Sequence, residues 1–182
     1  RRLERQLHIQ QQRANLLTQQ VCDALAAKNF DTLHHSLQAV DDVLLYIYHG
    51  QRLVYWSDSW LSSSYLPMRD VYDQWQYAQW NNAQGICKRT RVGDMHVLTV
   101  IPIKYAYRVT SENLNNTFIQ PFKGDKSWGL TRRQGKSEDF YPITSLNGEY
   151  LFSLHKNPQS VAKQEDIRID NFSYQAILAS EK

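Results

Sequence analysis

The stretch that most limits what this chain can fold into is 43–57, V-L-L-Y-I-Y-H-G-Q-R-L-V-Y-W-S. Six apolar or aromatic residues, 43–48, are followed by the polar gap His49-Gly50-Gln51-Arg52 and a second run, 53–56. β-branched and aromatic residues favour strands, and a short Gly-containing gap between two such runs predicts a hairpin. Leu44, Tyr46 and Tyr48 share one face of the first strand, and Val43, Leu45 and Ile47 share the other. Neither face is strongly polar, so this strand is expected to be covered on both sides. A lone hairpin does not hold together in water, so the flanking segments must pack on it. Trp56 closes the second strand and is expected to fill core.

Ahead of the hairpin, Leu3, Leu7, Gln10, Ala14, Leu17, Val21 and Ala24 alternate in spacings of four and three. Residues 1–28 contain no Gly or Pro, which predicts one long helix. The stripe leaves two uses open: an amphipathic helix on its own core, or a dimer seam built from Leu3, Leu7, Ala14, Leu17, Val21 and Ala24. Asp31 reads as the N-cap of a second helix running to about Val40. His34 and His35 are neighbours on that helix, point about 100° apart and do not suit one metal.

After the hairpin, Tyr72, Trp75, Tyr77 and Trp80 are spaced for a short amphipathic helix within 71–80. Strands are expected at 86–92 and 95–104, joined by Gly93-Asp94, with irregular pairing near Pro102. Ser111 reads as the cap of a short helix to about Phe118. The cations Lys123, Lys126, Arg132, Arg133 and Lys136 mark 120–137 as an exposed loop. Leu146-Asn147-Gly148 then turns a last hairpin, 140–145 with 149–154, expected to close the sheet. The tail is polar, with one helical turn expected near Ile177.

At 182 residues the chain fits one domain able to bury a core. Net charge of +3 with interspersed acids argues against a nucleic-acid partner. No run approaches the ~20 apolar residues of a membrane span. The charged first residue, Arg1, and the missing Met favour a piece of a longer chain. Two cysteines, Cys22 and Cys87, exclude a disulfide scaffold and read as ordinary apolar residues. No phosphate-binding, nucleophile-elbow, zinc-protease or C-x-x-C motif is present, so a non-enzymatic domain without cofactor or metal is expected.

Four blocks in order, L-L-Y-I-Y-H-G-Q-R-L-V-Y-W-S-D (44–58), V-L-T-V-I-P-I-K-Y-A-Y-R (97–108), S-E-N-L-N-N-T-F (111–118) and N-G-E-Y-L-F-S-L (147–154), resemble extracytoplasmic sensor domains of bacterial membrane-bound histidine kinases. The basic loop after Phe122 matches no part of that pattern. The resemblance implies an α+β, PAS-like fold of the Cache type, with an antiparallel sheet of about five to six strands flanked by helices. It divides the chain into a long N-terminal helix (1–29), a core (31–156) and a tail (157–182). It further implies a periplasmic location at the bacterial inner membrane, flanking membrane spans, a homodimeric receptor with a cytoplasmic kinase, and a small-molecule or protein signal. On that template the pocket walls are expected from Tyr46, Tyr48, Tyr72, Trp75, Tyr77, Tyr105 and Tyr107, with Arg108 anchoring a carboxylate or phosphate. A periplasmic protein-interaction domain without a pocket is the alternative.

Overall fold

The computed structural model describes residues 1–38, 42–61, 71–109, 111, 115–135 and 138–156. Two helices, α1 (Arg2–Ala26) and α2 (Phe30–Gln38), precede eight strands. These are β1 (Leu44–His49), β2 (Arg52–Trp56), β3 (Gln76–Gln79), β4 (Ala83–Val92), β5 (Met95–Tyr105), β6 (Gly129–Thr131), β7 (Phe140–Thr144) and β8 (Tyr150–His155). The fold is α+β. Five strands form an antiparallel sheet in the order β2-β1-β5-β4-β3, and three form a second antiparallel sheet, β6-β8-β7. The last hairpin therefore belongs to a separate sheet instead of closing the first, because its partner β6 comes from the stretch read as a loop.

The stripe on α1 is used inside the chain. Leu3, Leu7, Ala14, Val21 and Ala24 are buried, Gln10, Gln11 and Thr18 join them, and Leu17 packs against the same core. Leu7, Ala14 and Val21 are fully covered, which corrects the assignment of these residues to a dimer seam. The large apolar side chains left outside on α1 are Ile9 and Leu16. The helix ends where Lys28 turns left-handed (φ 54), with the Asn29 N–H donating to the Ala24 carbonyl. That geometry usually falls to Gly, so Lys28 carries a cost of about 1 kcal/mol and gives no signal in the sequence. The cap of α2 is Asn29 and not Asp31: its Oδ1 accepts from the Thr32 N–H at 3.2 Å.

Three apolar clusters follow from this arrangement. One joins both sheets under the first half of α1, with Leu3, Leu7 and Ala14 against Ile86, Ile101 and Ile103 and against Leu130, Ile143 and Phe152. A second packs Val21, Leu33 and Leu37 of the helices on Leu45, Ile47 and Val97. The third covers the other face of the five-stranded sheet, with Leu44, Tyr46, Leu98, Val100, Trp80 and Leu61. β1 is thus covered on both faces, as its unbroken apolar run predicts.

Two bulges redirect side chains. On β2 the pairing steps from Ile47↔Tyr55 to Tyr48↔Leu53, leaving Val54 as the extra residue. On β5 it steps from Gly85↔Pro102 to Gln84↔Lys104, leaving Ile103 extra at the irregularity expected around Pro102. A Cβ on Gly85 would stand 2.2 Å from the Ile101 carbonyl oxygen, so only glycine permits this close approach.

Several expectations need correction. Trp56 is 54% exposed rather than core, because β2 is an edge strand. Residues 76–79 form β3 and not a helix, since Tyr77 and Ala78 alternate between the two faces opposite Ile86 and Gly85. Asn115, Asn116 and Thr117 are neither helix nor strand, with the Thr117 N–H donating to the Asn115 carbonyl at 2.9 Å, and Phe118 bridges Lys104. Residues 112–114, Val40 and the tail from 157, with its expected helical turn, lie outside the described residues.

Leu7→Ala is expected to cost about 2–5 kcal/mol in denaturant unfolding, and Gly85→Ala to destabilise through a backbone clash. Trp56→Ala is expected to cost under about 1 kcal/mol. A large loss at Trp56 with little at Leu7 would contradict this burial pattern.

Candidate functional site

Strand alternation sorts the five-stranded sheet into two chemically different faces. The face under α1 and α2 carries Leu45, Ile47, Val97, Thr99, Ile101 and Ile86. The opposite face can be read in cross-strand rows. One row is Trp56, Tyr46, Leu98 and Arg89 across β2, β1, β5 and β4, and the next is Leu53, Tyr48, His96 and Arg91. Paired residues across a sheet point the same way, so these rows place tyrosines, a histidine and two arginines on one surface.

Tyr48 and His96 stack with centroids 5.0 Å apart and planes within 8°. Arg91 Nη2 donates to the Tyr72 hydroxyl at 2.9 Å, and its guanidinium sits 4.4 Å from the Tyr72 ring centroid. Arg89 lies 5.6 Å from the same ring. Beyond the row, Trp60 meets Tyr105 edge-on at 5.8 Å, and Tyr105 stacks on Tyr107 at 5.5 Å. The Ile103 bulge makes this possible: it turns Tyr105 to this face and Lys104 to the other. Asn82 holds Trp60 in place by donating to its carbonyl at 2.7 Å.

This face is partly dry. Burial raises the Tyr46 hydroxyl well above the ordinary tyrosine range, and that hydroxyl is buried without a hydrogen-bond partner among the described residues. Burial also raises Tyr48, with Arg89 pulling the other way. His96 is held below its ordinary value by burial, then by Arg89 and Arg91, so it is neutral at pH 7. The hydrogen bond from Arg91 is the main influence lowering Tyr72. Beneath Arg89, burial pushes the Cys87 thiol up to about 12.

Of the residues expected to line a pocket, Tyr46, Tyr48, Tyr72, Tyr105 and Tyr107 are brought to this side. Trp75 and Tyr77 are not: both pack with the α1-side core, where Lys88 lies over Trp75 and donates to Asn15. Arg108 is exposed on a bend past the end of β5. The cations that do reach the face, Arg89 and Arg91, went unassigned in the sequence. The 87-89-91 alternation of β4 was the available signal, but the partners of that strand are set by long-range pairing. Cys22 and Cys87 are both free and lie on opposite sides of the sheet, Cys22 with the α1 core and Cys87 on this face.

Two other places hold polar chemistry. Lys104 is 4% exposed, with Nζ donating to the Lys126 carbonyl at 3.1 Å and to the Trp128 carbonyl, and lying 5.3 Å from the Phe118 ring centroid. Burial lowers its pKa to about 8, against the pull of Asp125. An open groove of about 310 Å³ runs between α1 and α2, lined by Gln20, Asp23, Ala24, Ala27, Asn29 and Thr32. Among the described residues no three His, Cys, Asp or Glu side chains gather as a metal site, and no helix is long and apolar enough to cross a membrane. No family model matches the chain, and no curated protein or solved structure matches it.

Lys104 gives a pH signature. Its folded value lies below the ordinary 10.5, so between pH ~8 and 10.5 the unfolded chain binds more protons. Stability from this group therefore rises with pH across that window, by up to about 3 kcal/mol. Cys87 acts oppositely from about pH 9 upward, because its folded value is raised. Chemical denaturation from pH 7.5 to 10 should show the Lys104 contribution as the difference from Lys104→Met, in which Cys87 is unchanged. Parallel pH profiles for the two proteins would contradict the buried-cation reading.

Proposed function

We propose that the chain is the signal-sensing extracytoplasmic domain of a membrane-bound histidine kinase, with a PAS-like fold of the Cache kind. The five-stranded antiparallel sheet with a long N-terminal helix on one face is compatible with that fold. The block 44–58 forms the β1–β2 hairpin, 97–108 covers most of β5 and its end, and 147–154 is the turn into β8. In this reading the domain faces the periplasm, flanking segments outside the sequence cross the membrane, and two copies associate in the receptor.

One observation carries the reading. The same two central strands present opposite surfaces to the two places a sensor must couple. β1 and β5 show Tyr46, Tyr48, His96 and Leu98 on the aromatic face, while Leu45, Ile47, Val97 and Thr99 meet the helices on the other. Thr99 Oγ1 is hydrogen-bonded to Thr18 Oγ1 of α1 at 2.6 Å. A ligand that shifts these strands would shift the seat of α1, and only differential affinity for two such arrangements is needed to bias a receptor.

A second reading, an interaction domain for another periplasmic protein, is favoured by the exposure of Tyr55 and Trp56 on edge strand β2. The intact gene product separates the readings from unrelated functions. Flanking spans of ~20 apolar residues and autophosphorylation are expected; a protein with neither overturns the sensor proposal. Within a receptor, signalling lost in Tyr46→Phe supports the ligand face. Signalling lost only in Trp56→Ser supports the protein partner.

A further inference from the structure

The packing of α1 on the two sheets leaves its outward side uncovered. Arg2, Arg5, Ile9, Gln12, Arg13 and Leu16 are all exposed. At about 100° per residue they fall within one arc of about 100°, opposite the buried Leu3, Leu7 and Ala14. The strip they form is about 21 Å long. An isoleucine or leucine standing alone on a surface calls for no explanation. Here Ile9 and Leu16 stand two turns apart on one line, with Arg2 and Arg5 ahead of Ile9 and Arg13 between the two.

The strip carries one sign of charge. Glu4 is the only acid among residues 1–22, and its carboxylate is turned to the flank, where the Thr144 N–H and hydroxyl donate to it. Arg2 and Arg5 make no ion pair among the described residues. Arg13 meets Asp42 at 3.3 Å, but with 59% of its side chain exposed that pair holds it weakly.

Three kinds of partner would meet this strip differently. A second copy set parallel, as two α1 helices rising from one membrane would be, places each arginine against its own image. A polypeptide partner draws its affinity from anchors buried in a pocket or groove, whereas this strip is the convex back of one helix. A lipid surface deforms around a convex element. Its phosphates match guanidinium forks, and isolated apolar side chains enter between its headgroups.

We infer that the outward face of α1 docks on an anionic phospholipid surface, with Arg2, Arg5 and Arg13 on lipid phosphates and Ile9 and Leu16 between the headgroups. The contact itself rests on α1 alone. The sensor reading supplies its use, since a span ahead of α1 would hold the first turns at the bilayer.

Co-sedimentation of the chain with vesicles of phosphatidylglycerol and phosphatidylcholine in equal parts tests this against phosphatidylcholine vesicles. Binding to the mixed vesicles that falls as salt is added, with none to phosphatidylcholine, is expected. Arg2→Gln, Arg5→Gln and Arg13→Gln should each weaken it about fivefold. Ile9→Gln combined with Leu16→Gln should weaken it several-fold. Arg52→Gln with Lys123→Gln removes the same charge as Arg2→Gln with Arg5→Gln from exposed positions on other elements, and should leave binding nearly unchanged. All these side chains are exposed, so the thermal melts of the variants should match that of the parent chain. Absence of binding to the mixed vesicles, equal binding to phosphatidylcholine, or equal losses from the two paired charge changes overturns the inference. Self-association of the lipid-free chain that is lost with Ile9→Gln and Leu16→Gln gives the face to a second copy and also overturns it. An intact protein without membrane spans or kinase activity removes the sensor reading and leaves vesicle binding by this face standing.

Discussion

Everything else in this molecule depends on the seating of one helix across two sheets that share no strand. Leu3, Leu7 and Ala14 fill the space between the sheets, and without them Ile86, Ile101 and Ile103 on one side and Ile143 and Phe152 on the other would face water. Burial alone does not set the position of the helix along its axis. That is fixed by polar contacts at its first turns. Glu4 Oε1 accepts from both the backbone N–H and the hydroxyl of Thr144, His8 Nε2–H donates to the Thr144 carbonyl at 2.9 Å, and Gln11 Oε1 accepts from the Leu146 N–H. Burial opposes the charge on Glu4, yet the hydrogen bonds from Thr144 outweigh it and hold the carboxyl below its ordinary value. The second half of α1 is held by apolar contacts, by the Thr18–Thr99 hydroxyl pair and by the hydrogen bond from Lys88 Nζ to Asn15. Polar contacts specify a register, whereas apolar packing tolerates small shifts, so these few contacts fix how α1 sits on β4 and β5.

The bulges decide which chemistry ends up on which face. Without the extra residue at Ile103, Lys104 would point to the aromatic surface and Tyr105 into the core. With it, the amine is caged by the Lys126 and Trp128 carbonyls beside Phe118 and ties the main sheet to the segment leading into β6. The aromatic face thereby receives its charge from Arg89 and Arg91 of β4 and not from β5. A short edge strand with a bulge at Val54 also resists adding another strand, which leaves side chains, Tyr55 and Trp56, as the feature of that edge open to a partner.

Local order was legible in the sequence, and long-range order was not. The helical period of 3–24, the uninterrupted apolar run of β1, and the Gly93 and Gly148 turns with positive φ all leave their mark in consecutive residues. The period of α1 did not say what its stripe meets, because a helix buries the same side chains against its own sheet or a second helix. β3 was misread because Tyr72, Trp75, Tyr77 and Trp80 carry helical spacing by coincidence, whereas the strand is imposed by pairing with β4. Trp56 was misread because size alone favours burial, and only the strand order makes β2 an edge. Five tyrosines of the candidate face could be named from their positions, but its arginines needed the register of β4 against β5.

The central claim is that α1 is a core element, seated on both sheets, and not a projecting arm. Native-state amide hydrogen exchange resolved along α1 tests it most directly. The account predicts that the amides of residues 7–21 exchange only with the global unfolding that also releases β1 and β5. Exchange of those amides through a separate opening of much lower free energy, with the sheet still protected, would contradict it.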